Sequence, residues 1–199
     1  MVFISKIVVN LAAIVFLFLT SGCQSAMSTS SETQTYTTAT NQWPLHFTQH
    51  SFSAYCYDTV GCSVLYNDDY LVKDDEDQAS RSSASIGANY QNNWTGVNLG
   101  IKNFPPSAEV VWRSKDGAAL KAQVDIAAIF KDQRILHHAK AEDIPDGAKI
   151  SDPSIILEVN DRTIKVYMKA HIPMKALQVP GNKYSDFMND LILAYSHTY

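Results

Sequence analysis

"SIILEVNDRTIKVYMKAHI", residues 154–172, decides the fold. In its second half Ile164, Val166, Met168, Ala170 and Ile172 are apolar, while Lys165, Tyr167, Lys169 and His171 alternate with them. Side chains two apart share one face of a strand, so this pattern predicts a buried face and a wet face, as in an antiparallel sheet. Asn160-Asp161 separates two β-branched runs and supplies turn chemistry, so the whole stretch reads as a hairpin.

The same period of two runs outward from there. "EVVWRS" (109–114) and "LKAQVDI" (120–126) flank Lys115-Asp116-Gly117 and form a second hairpin. "FSAYCY" (52–57) and "CSVLY" (62–66), joined by "DTVG", form a third, with Cys56 and Cys62 facing each other across it. "DLILAYSHTY" (190–199) supplies a closing strand. Helical signal is thin: Asp125 can cap a short turn through Phe130, and residues 184–189 can form another. The expected fold is mostly β, antiparallel and sandwich-like, with one or two short helices, and so all-β or α+β.

The N-terminus reads as an address. Residues 7–19 are apolar except for Asn10, and Lys6 is the only charge before Cys23. A spanning helix needs about 20 apolar residues, whereas a positive start and a short apolar core describe a secretory signal. Leu19-Thr20-Ser21-Gly22-Cys23 resembles a bacterial lipobox, with Thr20 where a larger apolar residue is usual. On that reading residues 1–22 are a cleaved lipoprotein signal peptide and Cys23 is the lipidated new N-terminus. Gln24 behind it, by resemblance to envelope lipoproteins, favours the outer membrane, facing the periplasm. Residues 23–42 form the lipidated start and a Ser/Thr-rich tether, and residues 43–199 a single β-rich domain.

Composition agrees with a globular passenger, since 46% hydrophobic and 18% charged residues describe neither a disordered chain nor a membrane-filling one. Removing residues 1–22 takes Lys6 away and moves the formal net charge from -4 to -5. A nucleic-acid partner calls for a basic face, so none is expected. With Cys23 assigned to lipid, Cys56 and Cys62 remain as an even pair in an oxidising compartment and are expected to form a disulfide.

Catalytic patterns fail on their own spacing. "HHAKAEDIPD" (137–146) resembles half of the H-x-K-x4-D motif of phospholipase D enzymes, but counting from His138 and Lys140 puts Pro145 where the Asp belongs. No G-x-S-x-G elbow occurs. Adjacent His137 and His138 cannot both point into one metal site from a strand, so neither a metal nor a cofactor is expected. The segment "NDDYLVKDDEDQ" (67–78) carries six carboxylates but lacks the Gly of a calcium loop. It reads as a solvated loop, with Asp74, Asp75, Glu76 and Asp77 as a patch able to steer a basic partner. Trp94, Trp112, Tyr167 and Tyr195 are core residues or, if exposed, binding anchors.

Residues 103–117, 122–132, 156–173 and 190–199 together resemble a group of small lipoproteins that serve as immunity proteins for type VI secretion phospholipase effectors. The resemblance implies a non-enzymatic, lipid-anchored binder of a lipase toxin. Its partner surface would be the acidic patch at 74–77 or the wet face carrying Lys165, Tyr167, Lys169 and His171. The alternative is a structural or assembly lipoprotein of the cell envelope.

Overall fold

A computed structural model describes residues 43–199 together with the backbone of Tyr36–Thr38. The expected signal segment, Cys23 and most of the tether lie outside the described residues. In chain order the strands are β1 (Tyr36–Thr38), β2 (Gln49–Tyr57), β3 (Thr59–Tyr66), β4 (Asp69–Lys73), β5 (Asn98–Lys102), β6 (Ala108–Ser114) and β7 (Ala119–Val124). They continue with β8 (Lys149–Ser151), β9 (Ser154–Asn160), β10 (Thr163–Lys169), β11 (Ile172–Pro173), β12 (Phe187–Met188) and β13 (Leu191–Thr198). Two short helices, α1 (Ser83–Ile86) and α2 (Ile126–Ile129), complete the mostly-β fold.

The strands form a sandwich. One sheet has the order β13-β10-β9-β2-β5, the other β4-β3-β6-β7, and β1-β8 and β11-β12 are two-stranded additions. Ile155, Leu157 and Val159 of β9 and Ile164, Val166 and Met168 of β10 have no solvent exposure. They share one core with Val64 and Tyr66 of β3, Val110 and Trp112 of β6, and Val124 of β7. Burying such side chains, at about 25 cal/mol per Å² of apolar area, is what holds the two layers together.

Local chemistry explains the turns. The β9-β10 hairpin closes with Asp161 at φ 52°, and the β6-β7 hairpin with Gly117 at φ 86°. Asp125 accepts a bond from the Ala128 amide at 2.9 Å and caps α2. Trp112 donates its indole N–H to the Asp161 carbonyl at 2.7 Å, tying the β9-β10 turn to the opposite sheet.

Four expectations are corrected. First, β2 and β3 are not a hairpin, because the chain turns at Asp58, φ 51°, and passes from one sheet to the other. Cys56 and Cys62 do form a disulfide, and it joins the sheets instead of closing a ladder. The hairpin partner of β3 is β4, joined through Asn67 and Asp68 at φ 52° and 62°, a pair of left-handed residues that suits a two-residue turn. Second, Asp69–Lys73 of the supposed acidic loop is therefore strand. Third, within the mostly antiparallel β fold that was expected, one pair departs: β2 pairs with β9 in parallel, so the larger sheet is mixed. Fourth, the stretch 184–189 contains the two-residue strand β12, not a helical turn.

Candidate binding surfaces

The outer face of the larger sheet is not simply wet. Residues 81–97 leave β3's neighbourhood, pass through α1 and run as a strap across β10, β9 and β2 before entering β5. Trp94, only 3% exposed, stacks on Tyr55 at 4.9 Å between ring centroids and donates its indole N–H to the Tyr57 hydroxyl at 3.1 Å. Tyr90 and Tyr167 donate their hydroxyls to Glu158 at 2.7 and 3.0 Å, and the Asn160 amide donates to the same carboxylate at 3.1 Å. Glu158 has no solvent exposure, so these three donors replace the water it has lost. Gly96 ends the strap, donating its N–H to Ser154 Oγ at 3.2 Å, and the Val97 N–H donates to Ser53 Oγ at 2.9 Å.

This arrangement redistributes the residues expected on the wet face. Tyr167 is buried, and Lys169 is half-buried with its ammonium donating to the Trp94 carbonyl at 2.9 Å. Burial, with the Glu158 charge beside it, pushes the Tyr167 phenol up to about 12, and burial followed by the Glu158 hydrogen bond pushes Tyr90 up as well. Burial pulls Lys169 below the usual lysine range. A phenol used as a base or nucleophile needs the opposite shift, so the cluster locks the strap and its phenols stay as donors. Lys165 remains half-exposed at the margin, and exposed His171 lies over Phe187 at 4.5 Å.

The acidic residues form a pinned loop. The Asp74 N–H donates to the Cys62 carbonyl at 2.9 Å, the Gly61 N–H to the Gln78 carbonyl at 2.9 Å, and the Gln78 N–H to the Asp75 carbonyl at 3.0 Å. Arg113 of β6 donates to the Glu76 carbonyl and faces the Glu76 carboxylate at 4.0 Å. A Cβ at Gly61, φ 59°, would lie 2.6 Å from that same carbonyl oxygen, so only glycine admits the approach. Asp75, Glu76 and Asp77 are exposed, while Asp74 turns partly inward and burial raises its pKa. The loop therefore presents carboxylates from a backbone fixed to the disulfide-bearing strand.

A third surface was not legible in the sequence. A cleft of about 690 Å³ opens between β13 and the segment 129–139, with Trp43 and Pro44 at its rim. His138, the residue of the incomplete phospholipase D-like motif, lies in it and pairs with Asp190 at 2.9 Å, 52 positions away in the chain. Lys140 of that motif and Asp146, one residue past the motif's Asp position, are exposed. Trp94 and Trp112 are core, while Tyr195 is half-buried against it. Among the described residues no group of three or more His, Cys, Asp or Glu side chains could hold a metal ion.

No family model matches the chain, and no curated protein or solved structure matches it.

Proposed function

We propose that this chain is a lipid-anchored, periplasm-facing envelope protein that binds and neutralises a secreted phospholipase, as an immunity protein does. The observation carrying this reading is the pinned loop, where Asp75, Glu76 and Asp77 stand exposed on a backbone bonded to Cys62, Gly61 and Arg113. A surface already ordered before encounter loses little conformational freedom on binding, which favours recognition of a basic face on a partner. The N-terminal signal, the lipobox-like Cys23 and the tether agree with anchoring on a membrane without a spanning helix.

The test pairs the protein with the lipase encoded beside its gene. Association should be fast and salt-dependent, and replacing Asp74, Asp75, Glu76 and Asp77 by Asn or Gln should lower kon about tenfold at low salt, within the range of electrostatic steering. An unchanged kon and salt slope would remove the loop from the interface, and no complex at all would refute the reading. Palmitate labelling that disappears in Cys23→Ser is expected for the anchor, and an unlabelled wild type refutes it.

A further inference from the structure

Four strands end the two sheets, and three of them are defended against pairing with other chains. Strand β5 is five residues long with Gly100 at φ 69°, Lys102 and a register shift. Strand β4 is equally short, carries Asp69 and Lys73 and is bulged. Strand β7 carries Lys121, which faces Glu109 at 3.9 Å. Short length, charge and bulges are the devices that keep sheet edges from joining.

Strand β13 is different. Its eight residues, LILAYSHT, include no acid, Lys, Arg, Gly or Pro, and Leu193 is 51% exposed. Its one irregularity is a shift at Ala194, where pairing passes from Val166↔Tyr195 to Tyr167↔Leu193. Among the described residues its backbone pairs only with β10. The free side of β13 borders the cleft: Ile192, Leu193 and Ala194 form one wall, and Trp43, Arg134 and His137 stand on the other. Arg134 is exposed and forms no ion pair with a carboxylate among the described residues.

We propose that this groove accepts one extended segment of a partner protein as an added strand on β13, with an apolar side chain against Trp43 and Leu193 and a carboxylate on Arg134. The inference deepens the proposed function and rests on it only for the partner being a protein. An added strand directs alternate side chains to opposite faces, so every second one enters the cleft. A strand residue fills roughly 160 Å³, from about 3.4 Å of rise, 4.8 Å of strand spacing and 10 Å of layer thickness. The 690 Å³ cleft thus has the size of a short strand segment. The second wall makes a single strand the fitting occupant, because edge-to-edge docking of two copies would bring each copy's wall against the other's.

The experiment pans a phage-displayed dodecapeptide library on the purified protein and maps the synthesised winners by hydrogen exchange. Selected peptides should alternate apolar residues, carry Asp or Glu, and slow exchange of β13 amides at least tenfold. Arg134→Ala should weaken them about tenfold, as loss of a charge-assisted hydrogen bond does, and Leu193→Lys should do the same. The variant neutralised at 74–77 should bind them unchanged. The proposal is overturned if no peptide is selected, if winners leave β13 exchange unaltered, or if β13 protection rises with the protein's own concentration, which assigns the edge to a second copy. A phospholipase that binds without protecting β13 overturns this inference and leaves the proposed function standing. Peptide capture at β13 by a protein that binds no phospholipase does the reverse.

Discussion

Replacing Gly96 by Ala should loosen the strap that closes the outer face. A Cβ built at Gly96 overlaps Ser51 Oγ, lies 2.5 Å from Ser51 Cβ and 3.0 Å from Ser154 Oγ. Ser51 is itself buried in β2, and its Cβ cannot rotate away, so the strap must lift. Lifting it strains the Gly96 N–H bond to Ser154 Oγ at 3.2 Å and the Val97 N–H bond to Ser53 Oγ at 2.9 Å. Each is worth about 1 kcal/mol, and residual overlap adds to them, so a loss of about 2 to 3 kcal/mol is expected. For a domain of this size that lowers Tm by roughly 4 to 12 °C. Thermal melts followed by Trp fluorescence measure the loss, since Trp94 belongs to the strap and is buried against Tyr55 and Tyr57. Gly96 does not occupy the left-handed region, so Ala carries no backbone penalty there and the effect is steric. Ser51→Gly in the same chain should recover much of the stability. A Gly96→Ala protein within about 0.5 kcal/mol of wild type, the usual effect of a neutral surface change, would refute this account of the strap.

Two further outcomes follow from the core and the staple. The disulfide closes a loop of only a few residues, so Cys56→Ala with Cys62→Ala should cost about 2 kcal/mol in a urea melt, and reductant should have no further effect on that variant. His50 has no exposure, donates from Nδ1 to Asn103 Oδ1 at 2.8 Å and accepts at Nε2 from the Tyr66 hydroxyl at 3.1 Å, an arrangement that suits the neutral ring. Burial lowers its pKa below 6.5, so as pH falls the unfolded chain takes up the proton first and stability is lost. Between pH 7.5 and 6 this amounts to up to about 0.8 kcal/mol for the fully buried His50. Burial also lowers His137, so His50→Gln should remove only part of the slope. Asp152, raised by burial to about 6, takes up its proton through the lower part of this window and acts in the opposite direction, so the His50 share is the difference between wild type and His50→Gln. Identical pH slopes for wild type and His50→Gln between pH 7.5 and 6 would contradict the neutral burial of His50.

By itself the sequence determined what depends on near neighbours. Alternation along 164–172 predicted which side chains enter the core, because a strand's period of two is a property of the backbone. The turns at Asp161 and Gly117, the Asp125 cap and the closing strand were legible for the same reason. Tertiary structure alone decided what depends on residues far apart. The "DTVG" segment has turn chemistry whether the chain folds back or crosses between sheets; the crossing at Asp58 follows from β3 pairing with β4 and β6 while β2 takes β9 as a parallel neighbour. The polar side of the hairpin could not announce that Trp94, some 70 positions from Tyr167, would cover it, nor that Glu158 would trade water for two phenols and an amide. The cleft is the extreme case: Trp43, Arg134 and Leu193 share no local pattern, and only the packing of the two sheets brings them to one groove.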